Sequence, residues 1–319
     1  MIGARLKRLA GSRFARVVRM IFRVVCPVLA FGYLSFVLRD LAGKLPPAAE
    51  IVPALGIAAA ISLSFPLLLL VLSWHWRVIL ECVGGRPLEL RAAYTFYCQT
   101  NIQKYLPSNI LHLASRVVQA RERIQLDAKT MAKAIVVEVV VDVLLTAAFL
   151  CAGFSIVGSS PREGWHGPSL RAVAAVALAA AMTLTTGLIL RRTASDYLRT
   201  SRHALPIVGF TLLAAHIYFG IGFLTLLWSL GVSVGVRVGI LVMCWQSASW
   251  LIGFLTPGLP AGIGVREALL ALTVGQLVDV RVVVIAAGLY RMAQIVGEVF
   301  AFLLASKVTL KPVSIREAG

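Results

Sequence analysis

The chain has 319 residues, of which 59% are hydrophobic and 14% are charged, and its mean hydropathy is +0.87. Soluble domains carry about 45–50% apolar and about 25% charged residues, so this composition excludes an ordinary soluble protein. The net charge of +17 would suggest nucleic-acid binding in a soluble chain, but there is no nucleic-acid-reading motif and the basic residues flank apolar stretches. The five cysteines are scattered without a Cys-x-x-Cys pair, which argues against a disulfide framework and a metal site.

The beginning of the chain is strongly basic. Seven Lys and Arg residues occur up to Arg23, and the apolar stretch that begins near residue 18 is longer than the core of a secretory signal. We interpret this stretch as an uncleaved signal anchor. Residues 1–17 are predicted to form a basic amphipathic juxtamembrane segment on the anionic inner leaflet, with a solvated basic tail as the alternative.

Six stretches of the chain are long and apolar enough to cross a bilayer. Their approximate bounds are 18–38, 51–73, 132–157, 170–190, 206–230 and 282–306. Two further apolar regions, roughly 93–122 and 238–278, contain prolines at their centres. The first holds the sequence KYLPSNILHLASR at 104–116, and the second holds TPGLPAGIGVRE at 256–267.

The two halves of the chain share one order of elements. Pro107 is followed nine residues later by Arg116, and Pro257 is followed nine residues later by Arg266, at an offset of 150 residues. The same offset aligns the other stretches, so each half reads as span, span, broken hairpin and span. We therefore predict two membrane repeats and a basic cytoplasmic tail. Their bounds are 18–158, 159–306 and 307–319.

The distribution of basic residues predicts the topology. If each broken region is a re-entrant hairpin, each repeat crosses the membrane three times and the second repeat is inverted relative to the first. With the N-terminus in the cytoplasm, 23 of the 31 Lys and Arg residues lie on cytoplasmic segments, as the positive-inside rule requires. The predicted fold class is an all-α polytopic membrane protein with six transmembrane helices and two re-entrant broken hairpins in an inverted-topology repeat. We expect it in a bacterial-type plasma (inner) membrane, multi-pass, with both termini cytoplasmic.

The proline breaks are the candidate site, because non-helical backbone at membrane depth is tolerated only where protein or a water-filled cavity satisfies it. Glycines at the second break would leave backbone amides bare at a helix N-terminus, with a guanidinium one turn further on, and this combination suits an anion. The two breaks together would form one basic chamber. The candidate substrate-binding residues are Lys104, Pro107, Asn109, His112, Arg116, Pro257, Gly258, Gly262, Gly264, Arg266 and Arg291. The candidate charge-balancing or coupling residues are Glu138, Asp142, Glu267 and Glu298.

Structural interpretations of the same residues stay open. A proline in a membrane helix is often only a kink. Arg266 could pair with Glu267 or Glu298 and only hold helices together, and His112 could be a simple hydrogen-bonding residue. The remaining histidines are dispersed without metal-ligand spacing, so we expect no metal, no cofactor and no catalytic residue.

The sequences KYLPSNILHLASRV and PGLPAGIGVREALL resemble the lysylphosphatidylglycerol synthase transmembrane-region family, also called flippase-like membrane proteins. The pair Glu138 and Asp142, and the stretch YRMAQIVGE at 290–298, follow at the family's usual distances, and the likeness covers about 18–306. The family usually has Pro-Gly-Asn at the first break and Pro-Gly-Gly-x-Gly at the second, so Ser108 and Ala261 depart from it. The resemblance implies movement of lipid between leaflets. The best-known relatives move aminoacylated phosphatidylglycerol, and others accompany glycosyltransferases that use polyprenyl-linked sugars.

The leading hypothesis is therefore a flippase or transporter for an anionic lipid or lipid-linked substrate of the aminoacyl-phospholipid or polyprenyl-phosphate type. One alternative is a non-transporting membrane scaffold for a glycosyltransferase or lipid-modifying enzyme, and another is an integral-membrane transferase that acts on lipid head groups. Synthase activity is not expected, because the chain ends at Gly319 with a short basic tail. The expected partners are membrane lipids with anionic head groups and a membrane-associated glycosyltransferase or synthase, and no nucleic acid.

Overall fold

The computed structural model describes residues 48–84, 88–105, 111–157, 188, 204–256 and 260–307. Within these residues the regular structure is entirely helical, which confirms the predicted all-α class. The α-helices are α1 (Ala48–Cys82), α2 (Leu90–Asn101), α3 (Leu111–Arg123), α4 (Ala128–Val157), α5 (Ala204–Ser229), α6 (Val236–Leu255), α7 (Val265–Thr273) and α8 (Val280–Ser306). Short 3-10 turns follow α2 at Ile102–Tyr105, precede α7 at Pro260–Gly262 and follow α7 at Val274–Gln276.

Five of the described helices are long and apolar enough to cross a membrane. They contain the stretches Ile51–Cys82, Ala128–Ser155, Pro206–Ser229, Val236–Leu255 and Val280–Ser306. Four of them coincide with predicted spans, whereas the predicted spans 18–38 and 170–190 lie outside the described residues. The sequence predicts α6 as the first arm of a broken hairpin, yet α6 alone has the length and apolarity of a span. The chain is thus a multi-pass membrane protein.

Helix α1 packs against α8, α5, α2 and α4. Its contact with α8 is close, because a Cβ placed on Gly297 would lie 2.4 Å from the Cβ of Phe65 and 2.8 Å from the carbonyl oxygen of Ser62. The Ser62 hydroxyl donates to the carbonyl oxygen of Ala293 at 3.0 Å across the same contact. Small residues and hydroxyl groups that let two backbones approach are typical of helix pairs in membranes.

Two of the long helices begin at aspartate caps. The Asp127 carboxylate accepts from the Thr130 N–H at 2.8 Å, and the Asp279 carboxylate accepts from the Arg281 N–H at 2.8 Å. These hydrogen bonds to the ionised form hold the pKa of both carboxyl groups below the usual range. The caps therefore fix where α4 and α8 begin.

Both predicted interruptions are present. Helix α2 ends at Asn101 and α3 begins at Leu111, while α6 ends at Leu255 and α7 begins at Val265. The 3-10 turn Ile102–Tyr105 contacts the 3-10 turn Pro260–Gly262, so the two interruptions meet in space. This contact brings side chains from both halves of the chain to one place.

The second interruption contains left-handed backbone. Ala261, Gly262 and Gly264 have φ values of 49°, 70° and 88°. Gly262 is also required for space, since a Cβ there would lie 2.7 Å from the Cα of Gly253 on α6. The Gly264 N–H donates to the Glu267 carboxylate at 2.7 Å and starts α7. The amide that the sequence analysis expected to be bare is therefore occupied by a side chain of its own helix.

Candidate functional site

A cavity of about 110 Å³ lies between the two interruptions and the helices around them. One water molecule needs roughly 10–15 Å³ of such volume, so the cavity has room for a small polar group with several waters. Its polar lining comes from both halves of the chain. The polar lining residues are Tyr97, Asn101, Lys104, His112, Arg116, Glu138, Asp142, His216, Arg266 and Glu298.

The cavity gathers seven of the predicted site residues. From the substrate-binding set these are Lys104, His112, Arg116 and Arg266, and from the charge-balancing set they are Glu138, Asp142 and Glu298. Four other predicted residues do not line it. Gly262, Gly264 and Glu267 belong to the second interruption and the start of α7, and Arg291 contacts that interruption from α8. Pro107, Asn109, Pro257 and Gly258 lie outside the described residues.

Arg116 is buried in an ion pair with Glu138. Its Nη1 lies 2.9 Å and 3.1 Å from the two carboxylate oxygens, and its Nε donates to the Thr100 hydroxyl at 3.3 Å. The guanidinium also lies 4.6 Å from the ring centre of Tyr97, which adds a cation–π contact. Arg116 is 2% exposed and thus has a carboxylate, a hydroxyl and an aromatic ring as partners. Its charge is neutralised before any ligand arrives.

Lys104 is paired as well, with Glu298 of α8. Its Nζ donates to the Glu298 carboxylate at 2.6 Å, and the side chains are 24% and 5% exposed. The sequence offered Glu298 as a partner for Arg266, but the structure gives it to a lysine of the first interruption. This ion pair therefore connects the two halves of the chain at the cavity.

Arg291 supports the second interruption. Its Nη2 donates to the carbonyl oxygen of Ala261 at 2.7 Å, and its Nε lies 4.0 Å from the Glu267 carboxylate. A carbonyl freed by a helix break needs a partner at membrane depth, and Arg291 supplies one. Among the described contacts, Arg291 thus holds backbone at the break and does not face the cavity.

Arg266 differs from the other two cations of the cavity. Its Nε is buried and has no hydrogen-bond partner, and no carboxylate of the described residues forms an ion pair with it. The side chain lies along the backbone of α6, because a Cβ on Gly253 would lie 2.6 Å from its Cγ and 2.8 Å from its Nε. Arg266 therefore brings to the cavity wall a guanidinium that has no ion pair among the described residues.

From the sequence we expected one basic chamber, but the cavity is not uniformly basic. Its described lining holds three cations and three carboxylates, and two of the cations are engaged in ion pairs. The attraction for a negative group is concentrated at one place, the guanidinium of Arg266. It lies on the second residue of α7, next to the positive end of that helix.

Sequence reasoning missed two histidines. His75 of α1 contacts the Asp142 carboxylate through Nε2 at 3.1 Å and the Thr211 hydroxyl through Nδ1 at 2.9 Å. His216 of α5 contacts the Thr146 hydroxyl through Nε2 at 2.9 Å and lines the cavity. Each is a single histidine in an apolar helix, so the sequence carries no spacing that would link it to a partner. The available signal was the presence of an ionisable residue inside a span.

The rest of the wall is apolar and aromatic. Trp250 and Phe254 of α6 stack with ring centres 5.6 Å apart, and Phe65 and Phe219 close the wall from α1 and α5. In the described ranges, no group of three His, Cys, Asp or Glu residues could hold a metal ion. The cavity is thus amphipathic, with charged and aromatic side chains in the same wall.

Comparison with known proteins gives one result for the whole membrane region. The family model for the lysylphosphatidylglycerol synthase TM region matches residues 20–301, which is most of the chain. No curated protein matches the sequence. The matched range includes both interruptions and every described residue that lines the cavity.

Proposed function

We propose that this chain, which belongs to the lysylphosphatidylglycerol synthase transmembrane-region family, is a lipid flippase or transporter. It moves an anionic lipid or lipid-linked substrate between the leaflets of the inner membrane. The proposed substrate classes are aminoacyl-phospholipids and polyprenyl phosphates. The observation that carries the proposal is Arg266, a buried guanidinium with an unpaired Nε at the wall of a cavity built from both halves of the chain.

A phosphate oxygen is a suitable partner for Arg266. Burial without a partner is costly for a cation, and a charge-assisted hydrogen bond to an anionic head group removes that cost. Arg266 is the second residue of the nine-residue helix α7, where the Gly264 N–H is already taken by the Glu267 carboxylate. The head group is thus held by the Arg266 guanidinium, while Arg116 and Lys104 stay in their ion pairs.

The cavity accommodates the head group and leaves the hydrocarbon chains in the bilayer. About 110 Å³ is too small for an acyl or prenyl chain together with a head group. The aromatic face formed by Trp250 and Phe254 offers an apolar surface to the part of the lipid next to the phosphate. No covalent step is involved, so the lipid leaves the protein chemically unchanged.

Movement of the head group requires the cavity to open to each leaflet in turn. In the expected arrangement of six spans and two re-entrant hairpins, one inverted repeat rocks against the other and opens the cavity to each side. The Lys104–Glu298 ion pair joins the first half to the second beside the cavity. Rocking of one repeat against the other would stretch this ion pair, so we expect it to hold the cavity closed when it is formed.

The experiment uses the full chain in vesicles that contain phosphatidylglycerol with a fluorescent acyl chain. A membrane-impermeant quencher reports the rate at which labelled lipid moves between the leaflets. Arg266→Ala should lower this rate by about tenfold or more, since one charge-assisted hydrogen bond is lost. Arg281→Ala is the matched control, because Arg281 is 73% exposed and pairs with Asp279 outside the cavity. Lipid movement at the wild-type rate in Arg266→Ala would overturn the proposal.

A non-transporting scaffold is the second candidate, favoured by the exposed end of α3. Arg121, Glu122 and Arg123 are all exposed there and could contact a partner enzyme. Under this reading, Arg121→Glu abolishes capture of a membrane-associated glycosyltransferase or synthase, and Arg266→Ala does not. The opposite pattern supports transport.

A further inference from the structure

The contact between His75 and Asp142 joins three helices beside the cavity. His75 lies on α1, Asp142 on α4 and Thr211 on α5. The His75 side chain is 3% exposed, whereas the Asp142 side chain is 20% exposed and lines the cavity. Asp142 therefore stands between the interior of the cavity and a buried imidazole.

The position of one hydrogen atom follows from Thr211. Its hydroxyl oxygen lies 2.8 Å from the carbonyl oxygen of Ile207 and 3.0 Å from that of Val208, and carbonyl oxygens only accept. A hydroxyl has one hydrogen, and here it is donated to the backbone. The Thr211 oxygen then accepts from His75, so Nδ1 of His75 carries a hydrogen.

A second hydrogen is required on the other side of the ring. A neutral histidine with its hydrogen on Nδ1 has a bare lone pair on Nε2. That lone pair lies 3.1 Å from an oxygen of Asp142, and two acceptors at this distance repel each other unless a proton lies between them. The described geometry is therefore that of the proton-loaded pair, which holds one proton more than a neutral imidazole beside an ionised carboxylate. The proton is bound either as imidazolium with carboxylate or as imidazole with carboxylic acid.

The charged and titratable groups that face this pair come from several helices. They are Tyr97 on α2, Arg116 on α3, Glu138 on α4 and His216 on α5. Arg116 and Glu138 neutralise each other, and His216 is engaged with Thr146. Across the cavity, α6 contributes the uncharged Trp250. The charge state of the pair is thus set mainly by its own proton and by what enters the cavity.

The charge balance of the cavity links this proton to an anion. Three cations and three carboxylates cancel when Asp142 is ionised and His75 is neutral. Binding of the extra proton leaves one net positive charge in a buried site, and an anionic head group compensates it. Each ligand therefore favours the binding of the other, as linkage requires.

We propose that His75 and Asp142 form a proton-binding site that loads together with the anionic head group, so that lipid movement is coupled to one proton. The inference rests on the proposed function and assigns it an energy source. The proton enters from water in the cavity, binds between Nε2 and the carboxylate, and leaves by the same route when the head group departs. The affinity for the head group then rises as the pH falls.

The test measures proton uptake and lipid binding separately. The full chain in phosphatidylcholine nanodiscs is mixed with dihexanoyl phosphatidylglycerol in weak buffer that contains a pH indicator, and binding is followed by calorimetry. The wild type should take up close to one proton per lipid bound, and its affinity should rise by up to about tenfold per pH unit of acidification. Asp142→Asn and His75→Gln should bind the lipid with no uptake and no pH dependence.

Thr211→Val tests the hydrogen-bond argument without touching the ionisable groups. Valine has the shape of threonine but cannot accept from Nδ1, so the Val208 carbonyl remains the described acceptor for that hydrogen and the preference for Nδ1 over Nε2 is weakened. Proton uptake should fall below half of the wild-type value while lipid binding remains. This variant also guards against loss of folding in the two direct substitutions.

The outcomes separate the two proposals. Lipid binding with unchanged proton uptake in Asp142→Asn and His75→Gln overturns the proton site and leaves the transport function standing. Lipid binding by the wild type without proton uptake does the same. A wild-type protein that binds neither phosphatidylglycerol nor a short-chain polyprenyl phosphate at any pH overturns the proposed function and this inference with it.

Discussion

Lys104 and Glu298 are 194 residues apart in the chain, and their side chains meet at 2.6 Å beside the cavity. The lysine lies on the 3-10 turn of the first interruption, and the glutamate lies on α8 in the second half. A buried carboxylate that loses its cation is left uncompensated, which is more costly than the absence of both charges.

Lys104→Met should therefore lower the free energy of unfolding by about 3 kcal/mol, because the 5%-exposed Glu298 carboxylate loses its cationic partner. The double variant Lys104→Met with Glu298→Gln should recover most of that loss. Thermal unfolding in detergent measures both. A double variant that is as unstable as the sum of its single substitutions would show that the two residues act independently.

Arg116 and Arg266 should respond in opposite ways to the same substitution. Arg116→Met leaves Glu138 buried without its cation and should cost about 3 kcal/mol of stability. Arg266→Met removes a buried cation that has no ion pair among the described residues, so stability should be unchanged or increased. Unfolding curves of the two variants, measured side by side, check this contrast. Equal destabilisation would mean that Arg266 has a structural role.

Gly253 should control the position of Arg266. In Gly253→Ala the new methyl group would lie 2.6 Å from the Arg266 Cγ, so the arginine must shift and lipid movement should fall by about tenfold. Gly209→Ala is the matched control on α5, since nothing lies within 4 Å of a Cβ there and alanine favours helix by up to about 1 kcal/mol. Vesicle transport and thermal unfolding of both variants are the measurements. Normal transport in Gly253→Ala would show that the exact place of the guanidinium is unimportant.

The re-entrant course of the two interrupted regions can be tested by labelling. Single cysteines at the exposed positions Glu89 and Glu122 flank the first region, and those at Ser233 and Gln276 flank the second. If both regions are re-entrant, the first pair reacts from the cytoplasmic side and the second pair from the opposite side. An impermeant thiol reagent applied to cells and to inverted vesicles measures this. Members of one pair on opposite sides would mean that the region crosses the membrane fully.

The sequence could locate the interruptions because proline and glycine limit backbone conformation locally. The turn at Pro260–Gly262, the left-handed Gly262 and Gly264, and the cation of Arg266 all follow from residues within one short stretch. Four of the six predicted spans are also present as long apolar helices. These features depend on neighbours in the chain, so one sequence contains enough information.

The partners of the charged residues could not be predicted in the same way. Glu298 binds Lys104 instead of Arg266, and Arg291 binds a backbone carbonyl instead of an anion. These choices depend on how α8 sits against the first interruption, which no local pattern specifies. The link between His75 and Asp142 likewise joins helices that are far apart in sequence.

The contact of Arg266 with Gly253 restricts how far its charged end can travel. The Arg266 side chain lies against the backbone of α6 from Cγ to Nε. Only the end of the guanidinium beyond Nε can therefore change its direction. A side chain held along most of its length cannot carry a bound head group from one face of the bilayer to the other. Transfer over that distance must come from displacement of whole helices, with the guanidinium as a fixed binding point on the helices that move.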